Sequence, residues 1–569
     1  EAAWEATFEI PEARKPEATA LTLKVSPTIA GAMLDALPYL LAYPYHFNEN
    51  TMSRFLPAIV TRRMLQDTGI NLEAIAEKRR DFPSTAPERK VGYWNSPVFD
   101  SATLNKIIND GLKRLTAAQH GSGGWAWWSG GRPTVYQTCY VLYGLITAQK
   151  IGEKIDQKII NRGLNYIENN LERQYGKVDK DHAGNGHAYA CYVLAYGGRN
   201  RANWLDILFE NRDRLSNYGK ALLSLSYHHA GNADRSKTVL QNIEQYLEQD
   251  DEFETAWLKT PSRGWWWWWN NDIETNAWLL RCYAIHEPKS EKARRVVKWL
   301  LINRRHGHYW HSTRDTAMAV LAFADYMKAS GESEPDYELT VSVDNGALGK
   351  KTFKVNKTNM FFFDNIFDVS GGEIGPGKHT MRITKKGKGA AYLSAMATFF
   401  TREENIKGAG LELKVDRRYY RLIPKEKTVD VTTTTGAKTA QKFATYDRVL
   451  MKNGDEVKSG DLIEVELMVE SKNDYDYLVF EDMKPAGCEA AEVRSGSRRQ
   501  EGLNAHMELR DEKVAFFIEM LQQGKHRLRH RLRAEIPGKF HALPTKAWAM
   551  YAPDIYGTSD EIRVTVKDK

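Results

Sequence analysis

Cysteine is scarce in this chain: Cys139, Cys191, Cys282 and Cys488 are the only four in 569 residues. None stands in a CxxC spacing, and the first three lie in apolar, helix-like stretches. This argues against a disulfide framework or a thiolate metal site, and buried thiols are expected. Long apolar runs are lacking too. The most apolar early stretch, Ile29 to Tyr45, is interrupted by Asp35, Pro38 and Pro44 and is too short to span a bilayer. A dense basic face is missing. The formal net charge of +7 is small for this length, so no nucleic-acid partner is expected. No glycine loop is built to cradle a phosphate, no Ser/His/Asp arrangement is evident, and no small-molecule cofactor is expected. The sequence opens at Glu1 directly in strand-like residues, without methionine or a leader, as expected of a segment of a longer protein.

What is present is an ordinary globular composition, 42% hydrophobic and 27% charged. The length is too great for one core and predicts roughly three to five domains. Three textures follow one another. Residues 1–27 alternate apolar and polar, through Trp4, Ala6, Phe8 and Ile10 and then Leu21, Leu23 and Val25, which predicts two strands. From Thr28 to about Ser330 the period is helical. After Pro335 alternation returns and persists to Lys569.

The helical block is repetitive. Short apolar helices are predicted through Tyr136–Leu142, Tyr189–Leu194, Tyr218–His228, Glu274–Tyr283 and Asp315–Tyr326, several of them after Gly- or Trp-rich turns. More polar helices, such as Asp156–Glu172 and Ser290–Asn303, lie between them. Buried inner helices alternating with amphipathic outer ones predict an α/α toroid, because no single hairpin buries its own apolar face. Trp125, Trp127, Trp128 and Trp265 to Trp269 then stand at inner-helix starts, either as a binding surface or, more simply, as plugs for the end of the barrel. The β region divides near Lys407 into two antiparallel sandwiches, with turns at Asn345-Gly346 and Gly375-Pro376-Gly377. The N-terminal strands have no partner nearby in sequence and most simply join the 336–402 sheet.

Local sequence carries a resemblance. Leu21 to Pro27, Ala30-Gly31 and Leu37-Pro38-Tyr39-Leu40 come first, followed by Tyr43-Pro44-Tyr45, Glu49 and Thr51 to Pro57. Glu274 to Leu280, Tyr309-Trp310 and Ser312 to Thr316 come later, then Tyr477 to Val479, Pro485 to Gly487, Glu492 to Gly496, Phe540 to Pro544 and Met550 to Pro553. In this order they resemble the C-terminal part of the bacterial α2-macroglobulin family. The resemblance implies a multidomain α + β chain. A thioester-domain-like α/α toroid (28–330) would be inserted in a discontinuous CUB-like β domain (1–27 and 331–406), with a macroglobulin-type β-sandwich (407–569) after it. It also implies endopeptidase inhibition rather than enzymatic activity. Target proteases and other domains of the parent chain would be the partners, in the periplasm or cell envelope.

That family's reactive motif is Cys-x-Glu-Gln, in which the cysteine sulfur is acylated by the glutamine side chain. The matching positions here are Phe47-Asn48-Glu49-Asn50, preceded by Tyr45 and His46. Phe47 has no sulfur to acylate and Asn50 is one methylene short, so no thioester is expected. Phe47 is read as filling the pocket that shields the bond in relatives, adding about 1.5–3 kcal/mol of burial, or as having gained a recognition role. Tyr45 and His46 are candidates for domain docking. So are Arg527, Arg529 and Arg531, which share one face of a predicted strand with Arg533 and offer either a docking patch for an acidic partner or a solvated face. Two rival functions remain. One is an envelope binding or scaffold module without inhibition. The other is a toroid glycan-active enzyme using Asp272, Glu274 and Asp315, whose simpler role is at helix N-termini. His306, His308 and His311, and likewise His182 and His187, cluster without a carboxylate or cysteine at ligand spacing, so no metal is expected.

Overall fold

The computed structural model describes residues 2–33, 36, 51, 52, 55, 56, 58–63, 101–126, 131–251, 253–259, 272–304, 309, 310, 313–360, 365–402, 405–432, 438–492, 494–549 and 552–569. The chain is a mixed α + β protein of two compact units. Phe400–Lys569 together with Ala13–Lys15 form the second, and the remaining described residues to Phe399 form the first. Phe400 onward groups with the second unit, close to the division expected near Lys407. Backbone pairing there bridges Arg14 to Thr401, and the Arg402 N–H donates to the Ala13 carbonyl.

In the first unit, strands β1 (Ala2–Ile10) and β2 (Ala20–Ser26) find their partners far along the chain. The later strands are β5 (Asp336–Val343), β6 (Gly349–Asn356), β7 (Ile366–Ser370), β8 (Gly377–Lys388) and β9 (Tyr392–Thr398). β1 pairs antiparallel with β8, from Ala2 opposite Lys385 to Ile10 opposite Gly377. β2 lies between β7 and β9. A four-stranded sheet β1-β8-β5-β6 and a three-stranded sheet β7-β2-β9 result. The Asn-Gly turn joins β5 to β6, with Asn345 (φ 54°) and Gly346 (φ 97°) both in the left-handed region such a turn demands.

Between β2 and β5 lie ten helices with defined bounds. These are α1 (Ser101–Ala117), α2 (Val135–Lys150), α3 (Gln157–Tyr175), α4 (Asn185–Tyr196) and α5 (Ala202–Glu210), then α6 (Asn217–His229), α7 (Ala233–Glu244), α8 (Asp272–His286), α9 (Glu291–Ile302) and α10 (Thr313–Ser330). α2, α4, α6 and α8 are buried almost all round. α1, α3, α7 and α9 bury one stripe only, as in Leu104, Ile108, Gly111 and Leu115 of α1. Side-chain caps start several of them: Asp156 accepts from Lys158 N–H (2.9 Å), Asn232 from Arg235 N–H (3.1 Å) and Ser290 from Ala293 N–H (3.2 Å).

The all-round apolar helices pack in series, α2 on α4, α4 on α6, α6 on α8 and α8 on α10. Helical residues within 51–63 touch both ends of that series. A Cβ added at Gly144 of α2 would overlap Met52, and Arg63 Nη1 lies 3.0 Å from Asp325 Oδ1 of α10. A short hairpin, β3 (Leu247–Asp250) with β4 (Thr255–Leu258), interrupts the helices; no alternation in sequence predicts it.

Two tryptophans settle their own roles. Trp125 and Trp310 are fully buried, and each donates its indole N–H to a carbonyl ten residues upstream: Leu115 at 2.7 Å and Leu300 at 2.9 Å. Their backbone N–H groups donate to Thr138 and Thr316, inside the helix that follows. These rings tie an outer helix to the next inner one, and a buried ring bonded in this way is no binding surface. Trp127, Trp128 and Trp265 to Trp269 lie outside the described residues.

The second unit holds strands β10 (Leu413–Thr432), β11 (Lys438–Leu450), β12 (Glu456–Lys458), β13 (Leu462–Ser471), β14 (Tyr475–Met483), β15 (Cys488–Ala490), β16 (Gly496–Gln500) and β17 (Leu503–Leu509). β18 (Lys513–Leu521), β19 (Gly524–Ala534), β20 (Gly538–Ala542), β21 (Lys546–Ala549), β22 (Ala552–Thr558) and β23 (Ile562–Lys567) complete it. The sheets run β11-β10-β13-β19-β15, β16-β17-β18-β14-β21-β22 and β12-β23-β20. Pairing is antiparallel except between β12 and β23, which run parallel, a departure from the all-antiparallel expectation. Leu467, Phe480, Phe516, Leu528 and Leu532 belong to one core cluster.

Candidate functional site

The positions matching the reactive motif, Phe47, Asn48, Glu49 and Asn50, lie outside the described residues, as do Tyr45 and His46. The described part of the helical block brings other candidates together. The first turns of α2, α8 and α10 carry Tyr136, Glu274 and Arg314. Glu274 is 2% exposed; its Oε1 accepts from Arg314 Nη2 at 2.7 Å and from the Trp278 indole N–H at 3.2 Å. Arg314 also donates to the Tyr136 hydroxyl, and its guanidinium lies 5.3 Å from that ring and 5.8 Å from Tyr140. Burial raises the Glu274 carboxyl above its usual range; Arg314 opposes the rise and Asp315 adds to it.

Asp272 and Asp315 occupy the first turns of α8 and α10, where carboxylates favour the helix dipole. An acid locked behind a guanidinium and sealed from water is poorly placed to exchange a proton with a glycan. The arrangement is a buried ion pair joining three helices.

At the opposite ends of the same helices a second cluster forms, which sequence reasoning missed. Arg281 is buried, donating from Nε to Asp325 Oδ2 (2.8 Å) and from Nη1 to the Tyr143 hydroxyl (2.7 Å). His229 is pushed down to about 3 by burial and by the neighbouring Lys150 and Arg281. The available signal was a single arginine inside the apolar run Ala277 to Tyr283.

The other histidines and the cysteines each have a local account. His182 Nδ1 lies 2.8 Å from Asp179 Oδ1, and buried His187 bonds the Gly176 carbonyl at 3.0 Å. His306, His308 and His311 lie outside the described residues. Cys139, Cys191, Cys282 and Cys488 are buried and in no disulfide, and burial pushes the last three up to about 12.

In the second unit Arg527, Arg529 and Arg531 do share one face of β19, with Met468, Glu466 and Glu464 of β13 opposite them. They do not form a free basic patch. Arg529 Nε lies 2.8 Å from Glu466, Arg527 Nη1 2.9 Å from Glu501, and Arg531 Nε 3.4 Å from Glu464. Arg448 of β11 reaches both Glu464 and Glu466 at 2.9 Å. Burial would raise Glu466, but the Arg529 and Arg448 bonds hold its carboxyl below its ordinary range. A groove of about 680 Å³ runs over this face, with Arg533 and Glu492 on its walls. The Gln500 amide lines it too and bonds both the N–H and the C=O of Arg529, acting as a short surrogate strand. Carboxylates therefore match these arginines within the unit, which weakens the case for docking an acidic partner there.

Beneath that face lies a dry ionic knot. Arg417 Nη1 is 3.0 Å from Asp482 Oδ1, and the guanidinium also donates to the carbonyls of Ala542 (2.9 Å), Leu543 (2.8 Å) and Asp560 (3.0 Å). Asp482 further accepts from the Thr545 hydroxyl and the His530 Nε2 side, both at 2.7 Å. Burial pushes the Asp482 carboxyl up, but Arg417, His530 and Thr545 outweigh it and bring it down to about 2.

Comparison with known proteins places the chain. Residues 413–554 match the family model for the bacterial α2-macroglobulin MG10 domain. The α2-macroglobulin of Thermotoga maritima is 26% identical over 398 residues, covering 69% of this chain and 20% of the relative. That of Escherichia coli is 21% identical over 543 residues, covering 90% of this chain and 28% of the relative. These matches support the bacterial α2-macroglobulin family. The chain spans between a fifth and a third of the length of these α2-macroglobulins. Among solved structures, trypsin-activated E. coli α2-macroglobulin aligns over the whole of this chain and 36% of its own, at 17% identity and a TM-score of 0.47.

Proposed function

We propose that this chain is part of an α2-macroglobulin-like endopeptidase inhibitor that has no thioester and holds proteases without a covalent bond. The observation that carries the proposal is Phe47 and Asn50 standing where the family's motif has cysteine and glutamine. With no acyl sulfur, capture rests on closure of the full-length parent around a protease that has cut it. The series of buried helices, with 51–63 touching both its ends, supports the α/α-toroid reading. The pairing of β1 and β2 with strands after residue 366 supports its insertion in a CUB-like β domain. A periplasmic or envelope site belongs to the same proposal. Among the described residues no helix is long and apolar enough to cross a membrane.

The test uses the full-length parent incubated with trypsin or elastase. One cut should compact the parent on native gels and retain the protease, and boiling in detergent should release all of it. Compaction with protease found covalently attached would refute the non-covalent reading. Cutting with no retention would favour the scaffold alternative. Turnover of a glycan that disappears in Glu274→Gln would favour the enzyme.

A further inference from the structure

The chain passes between the sheets of the first unit and its helical block at two places. It leaves the sheets after β2, through Ser26 to Ile29, and returns after α10, through Gly331 to Pro335 into β5. One side chain holds both crossings. Glu332, on the return, is 2% exposed. Its Oε1 accepts from the Tyr392 hydroxyl at 2.9 Å, and Tyr392 opens β9 directly opposite Ser26 of β2. The Ile29 backbone N–H, on the outward crossing, acts on the same carboxyl and favours its ionised form. A single carboxyl therefore joins the exit from the sheets, the return to them and the strand beside the exit.

The carboxyl is incompletely satisfied. Glu332 Oε2 and the buried Tyr337 hydroxyl of β5 have no hydrogen-bond partner among the described residues. Tyr326 of α10, Tyr337 and Tyr392 surround it, each hydroxyl raised first by burial and then by a charge on Glu332. No cation among the described residues acts on Glu332 itself. Arg294 of α9 acts on Tyr326 and Tyr392 from an exposed position, with Nη1 donated to the Lys289 carbonyl at 3.1 Å. Lys385 of β8 lies 5.0 Å from the centre of the Tyr337 ring, and Glu334 pairs with Lys357 at 3.4 Å. Burial raises the Glu332 carboxyl to about 7 against the pull of Tyr392 and Ile29. A neutral carboxyl suits such a pocket. A carboxylate has no counter-ion there and gains by reaching water.

We propose that Glu332 is a proton-operated clasp, which closes the neck between the sheets and the helical block when neutral and releases both crossings when ionised. Release is a local opening. The opened carboxyl regains its ordinary value of about 4.3. Opening therefore becomes more frequent as pH rises above that value and levels off above the closed one. An acidic medium locks the helical block onto its sheets, and a neutral one loosens the neck.

Hydrogen exchange of the 569-residue chain tests this, read at amides 25–33 and 331–337 and corrected for the intrinsic rate at each pH. Opening of these amides should rise by about fiftyfold or more between pH 5 and pH 8. Their exchange at pH 8 should not respond to low urea, whereas amides of α2 should exchange only through urea-sensitive unfolding. Glu332→Gln should keep the neck closed at both pH values. Tyr392→Phe removes a donor that favours the ionised form, so its rise should end at a higher pH. Opening that is independent of pH, or a rise that survives in Glu332→Gln, overturns the proposal. So does neck exchange with the urea dependence of α2, which would leave Glu332 a determinant of global stability alone. Equal melting temperatures at pH 5 establish that Glu332→Gln folds. Should it not fold, Tyr392→Phe decides, and an unmoved pH profile in that variant overturns the proposal.

Discussion

Glu332 in the first unit and Asp482 in the second are both sealed from water, yet their carboxyls shift in opposite net directions. Glu332 has one strong side-chain donor, the Tyr392 hydroxyl at 2.9 Å, and burial prevails, raising it to about 7. Asp482 has Arg417, Thr545 and His530, and these prevail over the same penalty. Glu274 lies between the two, with one guanidinium and one indole N–H. The difference teaches that desolvation sets a nearly common cost for a buried carboxyl, and that the number and charge of its donors decide the outcome. Asp482 in the second unit is held ionised, whereas burial carries Glu332 and Glu274 of the first above their ordinary range.

The comparison can be broken at four points. The largest effect is expected from Asp482→Asn, which leaves Arg417 buried without its counter-ion. It should destabilise the second unit by about 3–5 kcal/mol in urea unfolding. Glu332 should give the next largest. Its folded value lies above the unfolded one, so its contribution is fully present below about pH 4 and is lost as pH rises through 7. Stability of the first unit should fall by about 3 kcal/mol between pH 5 and pH 9, and Glu332→Gln should flatten that slope. Asp482 works with the opposite sign. Its folded value is depressed, so its contribution is present above about pH 4 and is lost on acidification toward 2. Glu274→Gln should cost less than Asp482→Asn, about 2 kcal/mol, because Glu274 has only Arg314 and the Trp278 indole as side-chain donors, whereas Asp482 also loses charge-assisted bonds from His530 and Thr545. Smallest is Thr545→Val, about 1 kcal/mol, with an upward movement of the Asp482 titration by NMR. If Glu274→Gln and Asp482→Asn cost the same, donor number does not govern the difference.

Much of the fold was legible because its signals are local. The helices predicted at Asp156–Glu172 and Ser290–Asn303 appear at Gln157–Tyr175 and Glu291–Ile302, with Asp156 and Ser290 as their caps. The Asn345-Gly346 turn joins the strands expected on either side of it. Legibility failed where partners are distant. Arg417 and Asp482 stand 65 positions apart on different strands, and nothing in either neighbourhood signals the pair. The arginines of β19 were legible as a face but not as neutralised, because Glu464, Glu466 and Glu501 come from elsewhere in the chain. The bridge between Arg14 and Thr401 was likewise illegible, being a backbone contact without a side-chain signature.

The account depends most on the absence of a thioester, and intact-mass analysis of the purified chain addresses it directly. The untreated mass should equal that of the sequence. After methylamine treatment the mass should be unchanged, with no thiol released. A mass short by one ammonia before treatment, or methylamine incorporated at Asn50, would contradict the account.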